Sequence, residues 1–397
     1  MKDDTVPAIQ ATDVFDDLTV DEIRLRGTAK WSHYAEDVLP AWVAEMDFPL
    51  VPAIRLALHE AVERGTTGYS PQAEEARLAA ACTAWMATSF GSNVAPRQIR
   101  ILPDVLRGVE LAIRTFSRPG SPVVLMTPAY PPFFEIARQC TGQIIEVPMA
   151  TAGGGWAIDL DGVEAALKAG AGTVILCNPH NPIGHVYGRD ELTALAALVE
   201  AHGARVVADE IHAPLVYAPM QHVQYATLSD AAAGHSVTMV SASKGWNVPG
   251  LKCAQMVLSN DADLTRWDKL SWLETHGASI LGILANRVAF EQGQPSLAEI
   301  LAYLDGNRRL LAELIAEHLP QVRFAMPEAT YLAWLDCRAL GLENPADFFL
   351  QKAKVALSDG ANFGEVGRGC VRLNFATSRP ILTEIVRAMA TAVGAAG

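Results

Sequence analysis

The sequence predicts an α/β protein in which a large, mainly parallel-sheet α/β domain carries a smaller α+β domain. Three observations predict it. Short runs rich in Val, Ile and Leu alternate with segments of helical spacing over the first two thirds of the chain, an order that builds a parallel sheet covered on both faces. Several of these runs are apolar without alternation, as strands buried on both faces must be. After Leu258 the alternation gives way to long helical stretches followed by short strand-like runs. The 397 residues also exceed what one hydrophobic core fills. The expected division is an N-terminal segment, 1–47, contributing to the small domain, a large domain over 48–285, and a C-terminal small domain over 286–397.

The elements follow in chain order. Residues 52–64 carry Ile54, Leu58, Ala61 and Val62 at helical spacing and stop at Gly65. Ser70 and Pro71 read as the N-cap and first-turn residue of a helix that runs to Phe90 and is stopped by Gly91. The runs 122–126, 143–147, 173–177, 205–208, 238–241 and 255–258 read as strands, with helices such as 104–116 and 190–202 placed around them. Two long helical stretches, 261–292 and 296–317, precede short runs at 322–325, 331–336, 355–358 and 371–375, and a last helix fills 380–395.

Composition excludes several functions. Half the residues are hydrophobic and 19% are charged, which rules out a disordered or fibrous chain. The net charge of -13 repels phosphate backbones and anionic lipid, so neither nucleic acid nor membrane is expected as a partner. No apolar run is long enough to span a bilayer. The start, Met1-Lys2-Asp3-Asp4, lacks the basic and apolar regions of a signal peptide. Six scattered cysteines without a CxxC pair read as reduced thiols, and a cytoplasmic location is expected.

Ligands of open α/β sheets bind beyond the carboxyl ends of the strands, so the turns there carry the chemistry. Thr127-Pro128-Ala129-Tyr130-Pro131-Pro132 holds an aromatic in a stiffened turn, placed either to stack on a planar ligand or to pack at the core rim. Asn178-Pro179-His180-Asn181-Pro182 presents Asn side chains on an extended chain. Cys177, His180 and His185 fit none of the usual zinc spacings, and no metal is expected. Asp209 ends a hydrophobic strand, where a carboxylate either caps the next helix or meets a buried cation. Ser241-Ala242-Ser243-Lys244-Gly245 sets a lysine among small residues at a strand end, suited to an amine that reaches a ligand while hydroxyls hold an anion. Ser-x-x-Lys also occurs in penicillin-binding proteins, but their Ser-Asp-Asn and Lys-Thr-Gly partners are missing. Arg372 lies inside the apolar run Val371-Arg372-Leu373-Asn374-Phe375, facing either water from an edge strand or a carboxylate inside.

Taken together and in order, these signals resemble the fold-type I enzymes that use pyridoxal 5'-phosphate (PLP). Trp42-Val43-Ala44-Glu45-Met46-Asp47-Phe48, Asn178-Pro179-His180-Asn181-Pro182, Asp209-Glu210-Ile211-His212 and Val371-Arg372-Leu373-Asn374-Phe375-Ala376 look like the MalY/PatB group of cystathionine β-lyases. The resemblance runs from about Trp42 to about Arg379. It implies that Lys244 bonds the cofactor and then removes the Cα proton of an amino-acid substrate. It places Asp209 on the pyridinium nitrogen, Tyr130 against the ring, and Asn181 and His212 near the phenolic oxygen. Ser241, Ser243, Lys252 and the backbone N–H groups of Val105 and Leu106 would hold the phosphate. Arg372, with Asn181, would bind the substrate carboxylate. Tyr69 would reach the phosphate of the other subunit in a homodimer with shared active sites.

The reaction expected is α,β-elimination from cystathionine or a related cysteine S-conjugate, giving a thiol, pyruvate and ammonia. An aminotransferase is the alternative, and a non-catalytic regulator on the same fold is the third reading, disfavoured by the joint presence of Lys244, Asp209 and Arg372. Two departures from the family pattern stand out. Pro103-Asp104 replaces Pro-Gly before the phosphate helix, and Ile183 replaces the Thr of Asn-Pro-Thr-Gly.

Overall fold

The computed structural model describes residues 15–152 and 155–395. The acidic start at 1–4 and the first part of the 1–47 segment lie outside the described residues. Seven strands form the large sheet: β1 (Ile99–Leu102), β2 (Val123–Thr127), β3 (Ile144–Pro148), β4 (Thr173–Cys177), β5 (Arg205–Asp209), β6 (Ser236–Val240) and β7 (Ala254–Leu258). Their order is β1-β7-β6-β5-β4-β2-β3. Pairing is parallel from β3 through β6, and β7 runs antiparallel to both its neighbours. Every residue of β2, β4, β6 and β7 is buried, which is why these strands read as unbroken apolar runs.

Four short strands form a second, antiparallel sheet in the order β8-β9-β11-β10: β8 (Arg323–Phe324), β9 (Leu332–Asp336), β10 (Ser358–Asp359) and β11 (Cys370–Asn374). The N-terminal segment joins this part of the molecule, because Leu39–Pro40 pairs in parallel with Val355–Ala356. The fold class expected from sequence is therefore borne out.

Local expectations differ in four places. Ile99–Leu102 is a strand that the sequence reading missed, paired only with β7 at the sheet edge. The stretch 261–292 is not one helix but three, Asp261–Trp267, Trp272–Thr275 and Ile280–Gln292, interrupted by Gly277 at φ +122. Ser70 does not cap its helix; Pro71 occupies the N-cap, and the Ser70 hydroxyl is buried without a partner. The run 355–358 divides into Val355–Ala356, on the N-terminal segment, and β10.

The N-terminal segment is anchored by a buried ion pair. Lys30 Nζ lies 2.8 Å from Asp47 Oδ2, and Trp31 Nε1 donates to Asp47 Oδ1 at 2.6 Å. Asn374 donates to the carbonyls of Val43 and Glu45, both at 2.7 Å. These bonds hold residues 42–47 along the end of β11, beside the strand ends of the large sheet.

Candidate active site

Strand β6 ends at Val240, and Ser241 caps the short helix Ala242–Gly245 that carries Lys244. The chain turns sharply here, so the lysine stands beyond the carboxyl end of the sheet. Lys244 Nζ donates to the Ala44 carbonyl at 2.7 Å. Burial and the nearby Arg372 guanidinium, partly offset by Asp209 and Glu45, lower its pKa to about 8. A substantial fraction of the amine is then neutral near physiological pH, as a base or nucleophile requires.

Arg372 is the second fixed point. The edge-strand reading fails: β11 lies between β9 and β10, and Arg372 is buried. Its Nη1 donates to Asn181 Oδ1 at 3.0 Å, its Nη2 to the Trp42 carbonyl at 2.8 Å and to Ser358 Oγ at 3.1 Å, and it lies 5.0 Å over the Phe363 ring. A guanidinium clamped this way presents its remaining face in a fixed direction, suited to a carboxylate. Both Lys244 and Arg372 line a cavity of about 800 Å³, with Tyr130, Tyr34, Trp42 and Ala44 on its walls.

Asp209 closes strand β5 and is buried. Its Oδ1 accepts from the Ile211 N–H at 3.0 Å. Among the described residues no cation stands within ion-pair distance, and burial raises its pKa to about 7 against the opposing pull of the Ile211 N–H and Lys244. His212, also buried, has its Nδ1 without a partner, and burial with the Lys244 and Arg372 charges lowers its pKa to about 3. Arg372 Nε is likewise buried and unpaired. A buried carboxylate without a cation partner and a buried neutral imidazole, both close enough to feel the charge of Lys244, suit a cationic heteroaromatic ring joined to that lysine. PLP fits this set of groups.

Asp104 caps the helix Val105–Phe116 by accepting from the Arg107 N–H at 2.8 Å, and its other oxygen pairs with Lys252 at 3.0 Å. The departure from Pro-Gly thus has a structural use as a cap. Ser241 Oγ donates to the Cys253 carbonyl at 2.7 Å and lies 2.8 Å from Ser243 Oγ. An anion would take over one of these hydroxyl protons. Tyr69 lies apart from Lys244. It is 99% exposed and lines another cavity of about 780 Å³ with Trp272, His276 and Gly277.

The turn after β4 owes its path to Gly184, at φ +69, where a Cβ would come within 2.4 Å of Pro327. His180 is held by Tyr187 and the Pro128 carbonyl, and His185 by Glu191 and Glu328. Among the described residues no group of three or more potential ligands is arranged for a metal. Sequence reasoning missed the carbonyls of Trp42 and Ala44, the clamp residue Ser358, and Tyr331, which donates to the Ala44 carbonyl at 3.0 Å. Only the quoted motif 42–48 signalled that region, and it gave no side-chain role for it.

A sheet with a lysine, an aspartate and an arginine converging beyond its strand ends defines a PLP-dependent enzyme of fold-type I. Residues 42–389 match the family described as aminotransferase class I and II. The cystathionine β-lyase of Corynebacterium glutamicum is 40% identical over 94% of this chain and 98% of its own. The cystathionine β-lyase PatB of Bacillus subtilis is 33% identical over 92% and 96%. A crystal structure from Corynebacterium diphtheriae, described as a PLP-dependent β-cystathionase, superposes with a TM-score of 0.90 at 42% identity, covering 95% of this chain and 98% of that one. The chain belongs to the aminotransferase class I and II family and, within it, to the cystathionine β-lyase relatives. It is a PLP-dependent carbon–sulfur lyase. Among the described residues no helix is long and apolar enough to cross a membrane.

Proposed function

We propose that the chain cleaves the Cβ–S bond of cystathionine or a related cysteine S-conjugate, releasing a thiol, pyruvate and ammonia. The observation that carries this reading is the placement of Lys244 and Arg372 on one cavity, an amine of lowered pKa beside a clamped guanidinium. Bound PLP supplies the electron sink that makes the substrate's Cα–H acidic and lets a β-thiolate depart. Arg372, oriented by Asn181, Trp42 and Ser358, holds the α-carboxylate and so fixes which bonds of Cα face Lys244. Lys244 Nζ accepts the Cα proton. The Cβ–S electrons leave with sulfur, which takes up a proton, and one water converts the three-carbon enamine to pyruvate and ammonia. Asp209, Tyr130, Asn181 and His212 would hold the cofactor's ring, Asp209 supplying the negative charge that would keep its nitrogen protonated. Ser241, Ser243, Lys252 and the N–H groups of Val105 and Leu106 would hold its phosphate.

The same reading makes the protein a homodimer in which Tyr69 completes the partner's site. The exposure of Tyr69 and Trp272, which line one cavity, and of Leu273 beside Trp272 in the chain supports it. The division at 1–47, 48–285 and 286–397 is kept as a functional one, supported by the pairing of Leu39–Pro40 with Val355–Ala356; the helix Ile280–Gln292 spans its second boundary. Free cysteines, five of the six buried, support a cytoplasmic location. Neither nucleic acid nor membrane is proposed as a partner. The test is to supply cystathionine with no keto acid and follow pyruvate. Steady release supports the lyase. Turnover that requires an added 2-oxo acid would overturn it in favour of an aminotransferase.

A further inference from the structure

The cavity extends well past Lys244 and Arg372. Its outer wall is built by one βαβ unit, formed by β2, the helix Pro131–Thr141 and β3. Tyr130 at the helix start, Phe134 and Arg138 follow at four-residue intervals and line the cavity together. Residues so spaced share a helix face, about 6 Å apart along the axis, and their side chains lean towards the N-terminus. Arg138 does so: its guanidinium lies over the Phe134 ring, 5.7 Å from the centroid. The cation therefore sits one turn nearer Tyr130 than its own Cα, and it makes no ion pair among the described residues.

A carboxylate stands on the neighbouring strand. Glu146, on β3, lines the same cavity, and its Oε2 lies where a Cβ on Gly364 would meet it at 2.9 Å. Gly364 adjoins Phe363, the ring beneath Arg372. Three further carboxylates of the cavity are engaged: Glu135 accepts from Gln139, Asp359 from Asn344 and the Ala361 N–H, and Glu365 from Arg368. Asp347 also lines the cavity without an ion-pair partner among the described residues, but on the small-domain helix Pro345–Phe348 and not on this unit. One uncommitted cation and one uncommitted anion thus share the βαβ unit that also carries Tyr130.

We propose that Arg138 and Glu146 form the subsite for the far end of the substrate and select thioethers that carry a second amino-acid head, Arg138 taking its carboxylate and Glu146 its ammonium. This rests on the lyase reading and names the residues that would set its preference for S-conjugates with a zwitterion at each end over simple S-alkyl cysteines. Both side chains are exposed, so their removal spares the folded chain.

The test compares the PLP-loaded wild type, Arg138→Ala and Glu146→Gln on cystathionine and on S-ethylcysteine, which lacks the second head. Each variant should lose about tenfold in kcat/KM on cystathionine, chiefly through KM, as expected for one charge-assisted contact. On S-ethylcysteine each should stay within about twofold of wild type, because no contact is lost there. Arg138→Glu should in addition favour S-(2-aminoethyl)cysteine, whose far end is an ammonium alone. Equal losses on both substrates, or none on either, would overturn the subsite while leaving the lyase intact. A wild type that releases pyruvate from neither substrate would overturn the lyase reading and the subsite with it.

Discussion

Lys244 shows how a single side chain is tuned by its surroundings. Its pKa falls to about 8 first through burial and next through Arg372. In cofactor-free protein the reactivity of Lys244 towards an amine-acylating reagent should therefore rise about tenfold per pH unit up to about pH 8 and then level off. Arg372→Met should move that break upward, since it removes a positive neighbour; peptide mapping of the labelled lysine measures both. A break that stays near pH 8 in the variant would assign the shift to burial alone. For turnover, Lys244→Ala should cost at least about a thousandfold, within the range for loss of a positioned acid–base group. Asp209→Asn keeps the shape but not the charge, and should cost about 3–4 kcal/mol of transition-state stabilisation in kcat/KM. A near-normal Asp209→Asn enzyme would mean that the carboxylate faces no cation in the working site.

Between elements, ionic ties do the joining, and they predict how stability responds to pH. His185, in the turn after β4, bridges Glu191 on the following helix and Glu328 between β8 and β9 of the small sheet. Burial alone would lower its pKa, but the two carboxylates outweigh it and raise it to about 9. A folded pKa above the unfolded value of about 6.5 makes the contribution complete below that pH, and it is lost as pH rises through about 9. His185→Gln should therefore lower Tm most near pH 6 and hardly at all above pH 9. A constant difference across that range would show a packing role instead. The buried Lys30–Asp47 pair should cost about 3–5 kcal/mol when broken by Lys30→Ala, because Asp47 is then left charged and unpaired; urea unfolding measures it. Legibility in the sequence divides at this same scale. Strands buried on both faces leave an apolar run that cannot be missed, and the strand-end residues Lys244, Asp209 and Arg372 stand out as polar groups interrupting or ending such runs. The edge strand Ile99–Leu102 is short and carries Arg100, so its signal is weak without its partner β7. Arg138 resembles any solvated arginine on an amphipathic helix until the cavity beside it is known. The carbonyls of Trp42 and Ala44 have no side-chain signature at all, because any residue supplies a carbonyl; only the fold brings them to Arg372 and Lys244.

At the scale of the whole molecule, Lys244 lines one cavity and Tyr69 another. Gly277, on the wall of the Tyr69 cavity, has its Cβ direction facing Pro103, the residue before the phosphate-helix cap Asp104. The Tyr69 cavity thus reaches the start of the helix proposed to hold the phosphate, yet Tyr69 itself is almost wholly exposed and makes no hydrogen bond through its hydroxyl among the described residues. The twofold dimer proposed above would resolve this: each chain's Tyr69 would enter its partner's site, and the exposed Trp272 and Leu273 would be covered in the same step. The arrangement has a consequence that separate sites do not share. In a heterodimer of Tyr69→Phe and Lys244→Ala chains, one site combines the intact Lys244 with the intact Tyr69, and the other has neither. An equimolar mixture with free subunit exchange should be half heterodimer, each with one working site, and so recover about a quarter of wild-type pyruvate release. Two independent sites would give only the sum of the two variants' own activities. Proven exchange, read from subunits carrying different affinity tags, with no gain above that sum would place Tyr69 outside the partner's site and end the shared-site reading.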